Sequence, residues 1–330
     1  MENTVLENEI VECEYVESEL VKSDDRKKQN KDTKKLFSNI GLVLFTMVFI
    51  VEVIQIIFYK IVSQAAPEFL DKTWMPWAYV VVGFYITAFP VYCVLMKRIP
   101  SVQKGEPKHM KVGNVIAMFF ICMATMYLFN YLTLAINYFI GLLKGGAVGN
   151  PIGEVIASSN MLYNFIFAGV IAPIIEEIVF RGILLDKLRC YGDKTAIWVT
   201  ALAFGLFHLN LSQFFYATAL GIVFAYIAVK TNRIKYTIIL HVSVNILGSV
   251  VMPGMVATGN EIIIMVAGVM VLVILFTGVV LFLIKKKHVI LEEGTQPIDP
   301  TVRKRTIYGN FGMMCFLILC FVLIVMTTMQ

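Results

Sequence analysis

Nine apolar runs punctuate the chain, at residues 37–62, 74–96, 112–141, 158–185, 195–209, 213–229, 236–254, 261–284 and 307–328. A helix that crosses the roughly 30 Å hydrocarbon layer needs about 20 mostly apolar residues. The pattern therefore predicts an all-α, polytopic membrane protein with about nine transmembrane helices. Two of the runs, 195–209 and 213–229, are short. Fifteen residues make about 22 Å of helix, less than the hydrocarbon thickness, which predicts tilted or re-entrant helices. Their connection, "LNLSQ", would then lie below the membrane surface, tolerated only where protein or a water-filled cavity surrounds it. With 58% hydrophobic residues and a mean hydropathy of +0.76, a single soluble core is excluded.

Basic residues test the count independently, because Lys and Arg are retained on the cytoplasmic side of short loops. With a cytoplasmic N-terminus, the tail and the loops at 97–111, 181–194, 230–235 and 285–306 hold 25 of the 28 Lys and Arg residues. Only Lys60, Lys72 and Lys144 are left for the other face, and the C-terminus falls outside. The net charge of +5 is thus a topology signal and calls for no nucleic-acid partner. The first 35 residues hold ten acidic residues, no apolar run and then the cluster "RKKQNKDTKK". They read as a disordered cytosolic tail without a cleavable signal peptide. The organisation that follows is a tail over 1–35, N-terminal transmembrane helices over 36–150, a core over 151–255 and C-terminal transmembrane helices over 256–330. The six scattered cysteines form no CxxC pair, so neither a disulfide framework nor a zinc ribbon is indicated.

Of 23 acidic residues, only Glu52, Glu176 and Glu177 fall inside apolar runs, with Glu261 at the very start of one, and two of the four histidines, His208 and His241, fall inside as well. An ionisable group at bilayer depth costs roughly 2.5–3.5 kcal/mol on insertion scales, which makes such residues functional candidates. In "APIIEEIVFRG" (172–182), Glu177 and Arg181 stand at i and i+4 with the acid first, the favoured order for an ion pair. They read as mutually neutralising supports. Glu176 points about 100° away around the helix and needs another partner. "FGLFH" places Phe204, a packing residue, on one face with His208, and "HVSVN" places His241 with Asn245, each at i, i+4. Counted from the inner helix ends at 1.5 Å per residue, Glu176 lies at about 15 Å, His208 at about 20 Å and His241 at about 8 Å, so convergence requires tilt. Glu52 receives no catalytic role. Asn130 and Asn137 read as interhelical hydrogen-bond glue.

"EEIVFR", "FGLFH" and "HVSVN" resemble the EExxxR, FxxxH and HxxxN pattern of the CPBP family of membrane proteins. That family contains the type II CAAX prenyl endopeptidases and the bacterial Abi proteins. The resemblance covers about residues 155–250 and implies an intramembrane endopeptidase. In it Glu176 is the catalytic glutamate, His208 and His241 are the essential histidines and Asn245 is the supporting amide. Glu176 and His208 would activate water, while His241 and Asn245 would face the oxyanion. The same atoms allow a metal site, with zinc on Glu176, His208 and His241 and water as the fourth ligand. HExxH is absent and Asn is an unusual zinc ligand, so the metal-free reaction is preferred. The expected partners are a membrane-associated protein or peptide substrate and the lipid bilayer. Short outer loops and the use of Lys, Asn and Ile point to a bacterial cell membrane. Two other classes use such residues: a proton-coupled transporter, disfavoured by the lack of an internal repeat, and a non-catalytic scaffold, disfavoured by the complete motif set.

The charge pattern generates a topology prediction. Single cysteines in the loops at 97–111, 230–235 and 285–306 should be shielded from an impermeant thiol reagent in intact cells, and cysteines beside Lys72 and Lys144 should be labelled. Labelling of both groups from outside would refute the assignment.

Overall fold

A computed structural model describes residues 27–101 and 105–329, and among these the chain is helical with no strand. In chain order the helices are α1 (Lys27–Ala65), α2 (Met75–Lys97), α3 (Val112–Lys144), the short α4 (Pro151–Ser158) and a long helix of interrupted pitch, α5 (161–188). They continue with α6 (Asp193–Phe207), α7 (Leu211–Thr231), α8 (Lys235–Ala257), α9 (Glu261–His288), the brief α10 (Arg303–Ile307) and α11 (Phe311–Met329). Seven of these, α1, α2, α3, α7, α8, α9 and α11, are long and apolar enough to cross a membrane, as befits an integral membrane protein.

The other two predicted spans are helical but fall outside that set. α5 carries Glu176, Glu177, Arg181, Asp186 and Lys187 in its second half, and α6 has only 15 residues. The predicted tail lies outside the described residues up to position 26. Residues 27–35, expected in that tail, are instead the first turns of α1. Lys and Gln are good helix formers, and lengthening an existing helix avoids the cost of a new nucleus.

The basic loops meet at one end of the bundle. Lys187 donates to Ile99 O at 2.6 Å, Arg189 to Val229 O at 3.1 Å and Asn232 to Glu106 O at 2.9 Å. Lys230 bridges Asp193 at 2.9 Å and Glu292 at 3.0 Å. The opposite end gathers the loops poor in Lys and Arg: Lys144 donates to Thr328 O, Ser212 to Gly149 O, and Thr327 to Leu209 O. The α6–α7 connection is enclosed by protein, with Asn210 and Ser212 both buried. Asn137 of α3 donates to Ser212 Oγ at 3.1 Å, an interhelical bond of the kind expected from its place in an apolar run.

Three helices change pitch at proline. Wide π turns cover Val81–Ala88 in α2, Asn164–Ile171 in α5 and Leu247–Val251 in α8. In each, a proline stands two residues beyond the last wide turn: Pro90, Pro173 and Pro253. A proline ring collides with the carbonyl four residues back in an α-helix and brings no N–H, and a wider turn relieves the collision. A fourth π segment, Ile178–Leu184, holds Arg181 and Gly182.

Packing is closest where small residues face a neighbour, the usual device of helix pairs in lipid. α7 packs on α6 and α3, α8 on α5 and α3, and α11 on α1. At Gly205 a Cβ would collide with the Thr218 side chain of α7. Two apolar clusters result, one containing Phe180, Leu184 and Phe204, the other Phe224, Leu240 and Val244. Substituting Gly205→Val should therefore force α6 from α7 and destabilise the protein by about 1–3 kcal/mol. Gly268→Val, in open space on α9, should leave thermal unfolding in detergent unchanged. Equal unfolding temperatures for the two variants would contradict this packing.

Candidate active site

The seam between the two clusters holds charge. Arg181 Nη1 and Glu177 Oε1 are 2.8 Å apart, one helical turn from each other, with both side chains fully buried. The guanidinium lies 4.3 Å from the Phe204 ring centroid and 5.4 Å from that of Phe224, and its Nη2 donates to Gly221 O at 3.3 Å. A planar cation suits this slot, since it can lie over aromatic faces and still direct donors outward in its own plane. The absence of a side chain at Gly221 lets the α7 backbone approach; a Cβ there would sit 3.0 Å from Ala201 Cα.

Glu177 does more than neutralise Arg181. His241 Nδ1 lies 2.9 Å from the same Oε1 atom. A carboxylate only accepts, so Nδ1 carries the hydrogen and the ring is fixed with Nε2 toward Glu176 Oε2, 3.6 Å away. His208, at the C-terminal end of α6, has Nδ1 2.9 Å from Phe204 O. A carbonyl also only accepts, which leaves the His208 Nε2 lone pair free. The Phe204 ring stands edge-on to both imidazoles, with centroids 5.0 Å from His208 and 5.7 Å from His241. Glu176 keeps 15% of its side chain accessible, whereas Glu177 keeps none. Of the two adjacent carboxylates, Glu176 is the one that is partly exposed.

Six of the seven residues selected from the motifs thus lie in one cluster: Glu176, Glu177, Arg181, Phe204, His208 and His241. Asn245, one turn beyond His241, is turned to a backbone task and donates to Ala168 O at 3.0 Å. In the π register that carbonyl would accept from residue 173, which is Pro173 and has no N–H, so Asn245 supplies the missing donor.

The motifs left other polar groups unmarked. Asn210 Oδ1 caps α7 by accepting from Gln213 N at 2.9 Å, and its Nδ2 donates at 2.7 Å to both His208 O and Gln213 Oε1. Gln213 Nε2 then donates to the Tyr216 hydroxyl at 3.0 Å. Tyr216 and Tyr85 of α2 both lie within electrostatic reach of Glu176, and the Tyr85 hydroxyl is buried without a partner. The run "LNLSQFFY" carried a signal that went unread: Asn and Gln three apart at a helix start within an apolar stretch.

Among the described residues, no group of three His, Cys, Asp or Glu side chains is placed to hold a metal ion. Glu176, His208 and His241 as they stand do not fit a three-ligand site.

Residues 158–247 match the family of type II CAAX prenyl endopeptidases described as Rce1-like. A Bacillus subtilis (strain 168) protein described as "Putative membrane peptidase YdiL" is 25% identical over 170 residues, covering 49% of this chain and 66% of that relative, just under two thirds of its length. No solved structure matches the chain. At the level of the family these findings support a protease embedded in the membrane.

The shared carboxylate makes a stability prediction. Arg181→Ala leaves the Glu177 charge buried with one partner fewer, and breaking such a pair costs about 3–5 kcal/mol. Lower yield and a lower unfolding temperature in detergent are expected. Full stability with lost activity would instead place Arg181 in the chemistry.

Proposed function

We propose that the chain is an intramembrane endopeptidase that hydrolyses a peptide bond of a membrane-associated protein or peptide, with Glu176 as the base. The observation that carries this reading is the partly exposed Glu176 carboxylate 3.6 Å from His241 Nε2, backed by a buried carboxylate that fixes the imidazole.

Charge balance supports the roles. Glu177 and Arg181 cancel, and Glu176 is then balanced by one proton held on His241, since an uncompensated charge in this apolar seam would be costly. Water placed between Glu176 and His208 gives one proton to Glu176, and its oxygen bonds to the carbonyl carbon of the substrate. The carbonyl π electrons move to oxygen, and that oxyanion is met by the His241 Nε2–H and by the second amide hydrogen of Asn245. As the C–N bond breaks, Glu176 returns its proton to the departing amine. One water is consumed, an acid and an amine are released, and Glu176 ends as it began.

A prenylated CAAX-type peptide is one substrate class, by analogy with the matched family. Leader, pheromone or bacteriocin-related peptides are the bacterial counterpart.

The test uses the full chain in nanodiscs with two quenched probes: a farnesylated peptide ending in a CAAX sequence and an unprenylated amphipathic leader peptide. Hydrolysis gives fragments whose masses sum to the probe plus one water. Glu176→Gln, which keeps the shape and removes the base, should lower the rate by about 10²- to 10⁴-fold with unchanged expression. Near-normal turnover by that variant would defeat the mechanism. Chelator-sensitive activity restored by zinc, with about one equivalent of bound metal, would replace it with metal-assisted hydrolysis.

A further inference from the structure

The groups around Glu176 have few donors to spare. His208 Nδ1 is committed to Phe204 O and His241 Nδ1 to Glu177, and one Asn245 amide hydrogen is committed to Ala168 O. The polar chain at the start of α7 ends differently, and its direction is forced.

Asn210 Oδ1 accepts from the backbone N–H of Gln213, which settles the orientation of that amide: the other end is NH₂ and must donate. It donates to His208 O and to Gln213 Oε1. Gln213 Oε1 is therefore its acceptor end, so the atom facing Tyr216 is Nε2, which also donates. The Tyr216 oxygen is consequently the acceptor in this contact, and its own O–H hydrogen is free. Accepting a hydrogen bond polarises a hydroxyl toward donating one. Tyr216 packs against both apolar clusters at their seam, where Glu176 lies within electrostatic reach.

We infer that Tyr216 donates its phenolic hydrogen to the carbonyl oxygen of the substrate as it is attacked, and that Asn210 and Gln213 are positioning residues that keep this hydrogen available for it. The inference rests on the proteolytic reading and adds to it a donor that none of the three motifs contains. It also links the donor to the catalytic histidine, because the chain begins at the carbonyl of His208 itself.

Three variants and one probe test it. Tyr216→Phe should lower kcat on whichever quenched peptide the wild type cleaves by about 10²- to 10³-fold, with KM changed less than about twofold, as for loss of one oxyanion donor. Gln213→Glu is the decisive change: a carboxylate still accepts from Asn210 but can only accept from Tyr216, which draws the phenolic hydrogen away from the substrate. It should cost nearly as much kcat as Tyr216→Phe although the phenol remains. Gln213→Leu, which neither draws the hydrogen away nor polarises it, should cost less. Wild-type kcat in Tyr216→Phe, or Gln213→Glu no slower than Gln213→Leu, would overturn the inference.

A readout independent of turnover is fluorine NMR of a ring-fluorinated tyrosine at position 216 in the full chain in nanodiscs. The resonance should move on Glu176→Gln and on Gln213→Glu. A resonance that ignores Glu176→Gln shows a phenol turned elsewhere and overturns the inference. If the wild type cleaves neither probe, the proteolytic reading falls on its own, and the fluorine signal still decides whether the phenol faces Glu176.

Discussion

One buried oxygen atom, Glu177 Oε1, organises the core. It accepts from Arg181 on its own helix and from His241 on α8, while Arg181 reaches the backbone of α7 and lies over the Phe204 ring of α6. Four helices are thereby fixed by a charge cluster that water cannot enter. In an apolar interior each of these groups alone would be prohibitive, and together they compensate one another. The arrangement is brittle by design: the chain cannot lose one member without exposing the others to their full desolvation cost. That brittleness holds the His241 imidazole at a fixed angle.

Around this anchor the two adjacent acids divide the work. Glu176 and Glu177 are one residue apart, and a helix sends them in directions about 100° apart. One is sealed in and holds His241; the other is partly exposed. A single dipeptide thus supplies both a sealed support and a partly exposed carboxylate, and α5 has to sit where one of its faces is core and the next is open.

The sequence showed the helical class, the basic end and the identities of the clustered side chains, because hydropathy, loop charge and i, i+4 spacing are local properties. Depth was less legible. Counting residues from the helix ends set His241 and His208 about 12 Å apart in depth, yet both imidazoles flank the single ring of Phe204. Helix tilt and π turns make up the difference, and neither is encoded in a residue count. The motif around Glu177 and Arg181 was read as an ion pair, which it is. Its bond to His241 crosses 64 residues of chain and has no local signature. Asn245 shows the same limit from the other side: its amide answers a carbonyl left vacant by Pro173, on a helix far away in sequence.

The prolines that follow the wide turns have a further meaning. A π turn is an α-helix with one residue too many, and each residue added or removed rotates everything beyond it by about 100°. Pro173 stands between the wide turn at Asn164–Ile171 and the acids at 176 and 177. It therefore acts as a phase marker for α5: it fixes where the surplus residue is absorbed and so which way the upstream and downstream faces are set against each other. Pro173 can in this way decide the compass bearing of the Glu176 carboxylate. Drift in sequence at this position would be felt as a change of aim, with the chemistry of every side chain in the cluster left intact.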